Sequence, residues 1–248
     1  MTKITIDLTK TIEANAEVYY EKAKRSKRKI PGVENALQNL NKKLLTLKPK
    51  PRVEKKTRSK KWFEKFKWFI SSEGLLVIGG RDATTNDIII KKYTETDDLV
   101  FHTELPGSPF VVIKADKKTI GNSSKEEAAL FCASHSRAWS ENRATANVYS
   151  VNSDQIKKEL GLPKVTFMIY GKRTYFTPKL ELAACKFNDT VMIGPENAIK
   201  THSENYYIIT LGDDKKSDIA KKLKKLLDTD INEIMQALPP GDAKVKIK

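Results

Sequence analysis

The sequence predicts an α+β protein, a mixed β-sheet with flanking helices, preceded by a helical coiled-coil hairpin. Three observations carry this. After Trp62 the chain breaks into short apolar runs punctuated by glycine. Strand and helix patterns are interspersed there without a regular βαβ rhythm, which favours α+β over a parallel sheet. Between residues 12 and 47, apolar residues recur instead at helical spacing.

Ile12, Ala16, Tyr19 and Ala23 lie on one face of an amphipathic helix that is expected to end near Pro31-Gly32. Val33, Leu37, Leu40, Leu44 and Leu47 form an a/d seam about two heptads long. A turn at the proline would fold this helix back on the first, giving a projecting hairpin with arms on the order of 25 to 30 Å. Residues 48–61 hold Pro49 and Pro51 and almost no apolar side chains, so they read as a basic linker. The expected organisation is therefore an arm at 1–47, a linker at 48–61 and an α+β domain at 62–248.

Within that domain, FKWFISS and LLVIGG flank Glu73-Gly74 as a β-hairpin. Thr84, three residues before Asp87, predicts a capped helix running to about Tyr93. DLVFHTE and PFVVIKAD read as strands around the turn LPGS. Ser123 and Ser124, each three before a glutamate, open a second helix through about Trp139, whose Ala129, Ala133 and Ser136 permit close packing on a sheet. TANVYSV, VTFMIYG and RTYFTP continue the strands, with Gly171-Lys172 at a hairpin tip. TVMIG and YYIITLG add two more strands. Helices on Ile219, Leu223 and Leu226, and on Ile231, Ile234 and Leu238, close the chain.

The 46 Lys+Arg against 31 Asp+Glu give a formal charge of +15, and a surface of that sign seeks polyanions. The charge is concentrated: residues 1–61 hold 18 Lys/Arg and 6 Asp/Glu, a balance of +12. Cys132 and Cys185 form neither a CxxC pair nor a dense disulfide pattern, which fits a reducing, cytoplasmic compartment. No apolar run approaches the roughly 18 to 20 residues that span a bilayer. With only His102, His135 and His202 and no His/Cys cluster, no metal or other cofactor is expected.

GGRDATTND is the most informative stretch. A glycine pair leads through Arg81 into a helix start, where backbone N–H groups, the helix dipole and a guanidinium suit a phosphate. The bland alternative is a tight turn in which Arg81 pairs with Asp82 or Asp87. The P-loop pattern is absent. KKWFEKFKWF alternates rings with lysines, as base-stacking surfaces do, but most of these rings are expected to be core. His102 and Ser108, beside ELPGSP, carry no catalytic motif, because no G-x-S-x-G elbow surrounds the serine. The candidate RNA-binding set is Arg81, Asp82, Asn86, Lys91, Lys92, His102, Ser108, Lys114, Lys172 and Arg173. Two other classes compete with it: an enzyme acting on phosphate or nucleic-acid bonds through Arg81, Asp82 and His102, and an adhesive or anionic-membrane module using the basic arm.

Taken in order, WFEKFKWFISSEGLLVIGGRDATTNDIIIKKY, DLVFHTELPGSPFVVIK, AALFCASHSRAW and TFMIYGKRTYF resemble the NFACT-R domain of the NFACT family over roughly residues 62–180. ANAEVYYEKAKRSKRK is similar to the start of that family's coiled-coil arm. The resemblance implies an archaeal-like, ribosome-associated quality-control factor. Such a factor binds the rRNA of a large subunit carrying a stalled nascent chain, together with tRNA, and supports C-terminal tailing without being the catalyst. The chain begins at the arm, so a separate or removed NFACT-N and helix-hairpin-helix half is an expected partner, as is a second copy paired through the arm. No membrane is implied.

Overall fold

The computed structural model describes residues 4–46, 59–159 and 166–246. They fall into two compact units, Met1–Ser59 and Lys60–Lys248.

The first unit is one helix, α1 (Ile12–Thr46), with Pro31 inside it. The expected hairpin at Pro31-Gly32 is therefore corrected to an uninterrupted rod of 35 residues, about 50 Å long at 1.5 Å per residue. Proline inside a helix removes one amide donor and costs about 3 kcal/mol. Here the carbonyl it leaves without its amide donor belongs to exposed Lys27, and helix-favouring Lys, Arg, Glu, Ala and Leu flank it on both sides. The segment before α1 is tied down by Tyr19, whose hydroxyl accepts from Thr5 N (2.9 Å) and donates to Thr5 O (2.6 Å). Asn15 likewise brackets the backbone of Asp7. Val33, Leu37 and Leu40 of the predicted seam are more than half exposed. Leu47, and residues 48–58 of the predicted linker, lie outside the described residues.

The second unit begins with a hairpin of β1 (Lys67–Ile70) and β2 (Leu76–Gly79), in the register Phe69 to Val77. Gly74 turns it at φ 78°. The short α2 (Ala83–Ile88) follows, running into one π-helical turn, Ile89–Tyr93. Its cap is Asp82, not Thr84. Asp82 is extended, accepts from Thr85 N (2.8 Å), and forms a capping box with the Thr85 side chain. β3 (Leu99–Thr103) and β4 (Val111–Ile113) pair around Gly107, which has φ 82°.

Next come α3 (Asn122–Ser134) and α4 (Arg137–Ser140). Ser123 and Ser124 do not cap α3. Its N-cap is Gly121, and Glu73 from the β1–β2 turn takes the amide of Ser124 (3.2 Å) and its hydroxyl. Ser71 and Ser72 add contacts to Ser124 Oγ and Glu127. The expected continuous helix breaks at His135, because Ser136 turns extended and caps α4 through Ala138 N.

β5 (Val148–Asn152) precedes the short strands β6 (Ile156–Lys157) and β7 (Met168–Ile169), which pair only with each other. β8 (Thr174–Phe176) returns to the edge of the main sheet beside β5. Gly171-Lys172 is therefore a turn between two sheets, not a hairpin tip, with Gly171 at φ 78°. Among the described residues the main sheet has the antiparallel order β1-β2-β4-β3-β5-β8. A second sheet contains β9 (Glu181–Phe187), β10 (Thr190–Gly194), β11 (Tyr206–Asp214) and β12 (Ala243–Lys246), in the order β10-β9-β11-β12. α5 (Glu196–His202), α6 (Lys216–Leu227) and α7 (Ile231–Ala237) pack around it.

The two sheets share one core. α3 lies on the main sheet through Ala128, Ala129, Cys132 and Ala133, all fully buried. Phe69 stacks tilted against Phe131 at 4.8 Å. Gly194 lets the second sheet approach, since a Cβ there would meet Phe69 at 2.9 Å. Each large side chain fully buried here contributes about 1.5–3 kcal/mol.

Candidate nucleic-acid interface

The β2–α2 turn, the 105–110 loop and the α3–α4 break meet at a cleft of about 730 Å³. Its backbone scaffold is clamped by Asn86. The Asn86 side chain accepts from Phe110 N (3.0 Å) and donates to Ser108 O (3.4 Å), joining α2 to the loop. Gly80 is what admits this amide, because a Cβ there would sit 1.8 Å from Asn86 Oδ1.

Lys67, Arg81, Arg137 and Lys216 line the cleft, with Asp82 the one carboxylate among its lining residues. Lys67 leaves β1 between buried Phe66 and Trp68. Its ammonium is 3.0 Å from His135 Nδ1 and donates to Leu238 O at 2.9 Å. Lys216, at the start of α6, donates to the same carbonyl at 3.2 Å. Burial, with the charges of Lys216 and Arg81 alongside, holds the Lys67 ammonium well below the usual lysine range. Burial also depresses Lys216. His135 is held well below its ordinary value by burial, then by Lys67 and Lys216.

The structure brings five of the sequence-predicted residues, Arg81, Asp82, Asn86, His102 and Ser108, to this cleft. Most are already engaged. Arg81 donates to Glu64 O (2.8 Å), Phe66 O (3.0 Å) and Gln236 Oε1 (2.8 Å), so it braces the β1 entry against α7. Neither Asp82 nor Asp87 takes its guanidinium hydrogen bonds. Burial lowers its pKa, partly offset by neighbouring Asp82. The expected anion site at the start of α2 is corrected: the Asp82 carboxylate already occupies that helix terminus. Ser108 is buried, and its hydroxyl donates to Leu105 O. His102 Nδ1 is 2.5 Å from Thr103 O, an acceptor, so Nδ1 carries the proton. Burial lowers its pKa, so the ring is neutral near pH 7.

Arg173 reaches the neighbourhood by another route. Its guanidinium lies 4.7 Å from the Tyr149 ring, which neighbours His102 at 6.1 Å and Tyr175 at 6.2 Å. Tyr175 is 55% exposed. Lys172 is exposed beside it. Lys91 and Lys92 lie away from the cleft at the end of the α2 turn. Lys91 pairs with Asp87 at 2.6 Å, and Lys92 is exposed. Lys114 is corrected outright. It is 5% exposed and bonds Asp98 (2.5 Å) and Tyr93 O (2.9 Å), so it is a buried strut that no RNA can reach. The aromatic run at 62–69 is largely core, with Phe66, Trp68 and Phe69 buried; Trp62 is 46% exposed and stacked on Tyr93.

Sequence reading missed Lys67, His135, Arg137 and Lys216 as site residues. Lys67 carried a local signal, a lone lysine between buried aromatics. Lys216 and His135 are distant in sequence and meet Lys67 only in the fold.

Residues 65–171 match the family model described as the NFACT protein RNA binding domain. The chain belongs to the NFACT family through this domain. This NFACT chain is 37% identical over 206 residues to the archaeal Rqc2 homolog aRqcH of Methanocaldococcus jannaschii, a match covering 78% of this chain and 31% of that protein. It is 34% identical over 186 residues to the human ribosome quality control complex subunit NEMF, covering 70% of this chain and 17% of NEMF. The Drosophila melanogaster NEMF homolog is 35% identical over 187 residues, 71% of this chain and 19% of that protein. The NFACT chain thus spans less than a third of the length of these relatives. A solved structure of the C-terminal part of the fibronectin/fibrinogen-binding protein from Streptococcus suis aligns with a TM-score of 0.42 at 17% identity, over 68% of this chain and 76% of that one.

Proposed function

We propose that this chain is the RNA-binding module of a ribosome-associated quality-control factor. It engages rRNA or tRNA on a large subunit that carries a stalled nascent chain and supports C-terminal tailing there. The observation that carries this reading is the cleft in which four cations face one carboxylate, built from the GGRD turn inside the RNA-binding domain. The names of the relatives, ribosome quality control subunits, supply the ribosomal context. Arg173, Lys172 and exposed Tyr175 extend the surface along the sheet edge, where a ring can stack on a base while cations hold phosphates.

This reading divides the chain into an arm at 1–47, a basic linker at 48–61 and the RNA-binding domain at 62–248. It gives the exposed seam of α1 a partner helix. It assigns no bond-breaking step to the cleft, since the Ser108 proton is committed to Leu105 O and His102 Nδ1 to Thr103 O. No helix among the described residues is long and apolar enough to cross a membrane.

The test is a filter-binding titration with tRNA and large subunits across salt. Affinity should fall as salt rises, with a log–log slope of about −0.7 to −0.9 per phosphate contacted. Arg137→Ala combined with Lys216→Ala should flatten that slope. A slope near zero for the unaltered protein refutes the reading.

A further inference from the structure

The inner wall of the cleft is chemically incomplete. Lys67 and Lys216 share a single carbonyl, Leu238 O, and His135 sits against Lys67. With Lys67 protonated, its ammonium offers only donors, so His135 Nδ1 accepts from it and the imidazole proton lies on Nε2. That Nε2–H is buried, on a residue 5% exposed, and has no partner among the described residues. Arg81 Nε–H is buried and unpartnered in the same way. Lys67 has one N–H beyond its two bonds, and Lys216 has two beyond its one.

The uncommitted groups of this wall are donors, and two belong to Lys67 and Lys216, whose charge no carboxylate offsets, whereas Arg81 has Asp82 beside it. Lys67 is disfavoured by burial and by other positive charges, with no acid acting on it. Buried charges are ordinarily paired, because an unpaired one is strongly disfavoured in a low-dielectric interior. A cluster of donors in the wall of a cavity, with two lysines lacking a counter-charge, suits an anion with many acceptor lone pairs. The cavity, about 730 Å³, is far larger than a bare oxyanion needs and within the range of sites for whole small ligands. Its lining also includes Phe110, neutral His102, Pro109 and Met235, which suit a ring and a sugar.

We propose that the cleft is a nucleotide-end site, in which Lys67, Lys216, Arg81 and His135 hold the terminal phosphate of an RNA or nucleotide. This rests on the RNA-binding reading and deepens it. A terminal monoester fits better than an interior diester for two reasons. It presents three acceptor oxygens and about −1.5 to −2 charges to the donors. It also requires only one chain end to enter, whereas an interior phosphate must bring both flanking nucleotides down to groups sunk beside buried His135. The site differs from the turn phosphate that the GGRD sequence suggests, since Asp82 fills that helix terminus.

The experiment compares short RNAs of one sequence bearing a 5′-phosphate, a 3′-phosphate or hydroxyl ends, by fluorescence polarisation with the full chain. One phosphorylated end should bind at least about tenfold tighter than the hydroxyl-ended RNA. Lys216→Ala should bring that ratio close to one. Lys216 is half-buried at a helix start, so its removal spares the fold; Lys67→Met is the second variant, with melting checked first. Equal affinity for all three RNAs overturns the proposal while leaving the RNA-binding reading intact. Should no RNA bind, that reading fails by itself, and AMP against adenosine then decides the subsite. Tighter AMP binding with a shifted His135 imidazole NMR signal upholds it, and no difference overturns it.

Discussion

Replacing Arg81 with alanine separates two roles that the sequence alone leaves entangled. The side chain spans two main-chain carbonyls, Glu64 O and Phe66 O, and the Gln236 amide, at 2.8 to 3.0 Å. Hydrogen bonds from a charged donor each contribute about 1.5–3 kcal/mol, but Arg81 is part-exposed and water replaces some of what is lost. A net loss of about 2–4 kcal/mol follows, a large share of the roughly 5–15 kcal/mol that stabilises a typical domain. In the unit Lys60–Lys248 this should lower the melting temperature by roughly 5–15 °C, taking about 2–4 °C per kcal/mol for a domain of this size. Arg81→Lys should not rescue it, because a point charge cannot span three acceptors as a planar fork does. Calorimetry of both variants checks this, alongside RNA affinity measured well below the melting point. An unchanged melting temperature with lost affinity would show that the guanidinium serves the ligand and not the fold, refuting the brace argument.

Other outcomes follow from neighbouring contacts. Lys114→Met alone leaves Asp98 buried without its ammonium partner, so urea unfolding should show a loss of about 3–5 kcal/mol. Gly80→Ala drives a Cβ into Asn86 and should cost about 1–3 kcal/mol by the same measurement while loosening the cleft. His102 and His135 both titrate below the ordinary 6.5 when folded, because burial disfavours their charged forms. The unfolded chain then binds more protons below that pH, so stability present above 6.5 should decline as pH falls through and below it, and His135→Asn should reduce the slope. Burial raises the thiols, Cys185 to about 12, so Ellman's reagent should label neither cysteine until the protein unfolds.

The α+β class and most strands were legible because alternation and glycine punctuation are local signals. The β1–β2 hairpin is one example: its apolar runs and Glu73-Gly74 turn lie within a dozen residues. β9 was not legible, since Leu182, Ala183, Ala184 and Cys185 are all buried and show no alternation. The arm hairpin was misread because Pro31 weighs heavily in sequence rules, whereas α1 runs through it with the one carbonyl it orphans on the exposed Lys27. The site was half legible. Arg81, Asn86 and His102 flank recognisable turns, but Lys67, His135 and Lys216 become a group only when α3 and α6 close on β1. Lys114 looked like any strand lysine until its partner Asp98, sixteen residues earlier, was found beneath it.

The clasp between the β1–β2 turn and the first turn of α3 reaches further than its own bonds. At one end of this lever Glu73 grips Ser124; at the other, Lys67 meets His135, just past the helix C-terminus. Hairpin and helix are pinned at both extremities, so the distance between Lys67 on β1 and His135 past α3 is set by rigid elements. An incoming anion then meets donors already in place and pays little to order them. Loosening the distant pin, for instance by Glu73→Ala, should be felt as slack at the opposite end.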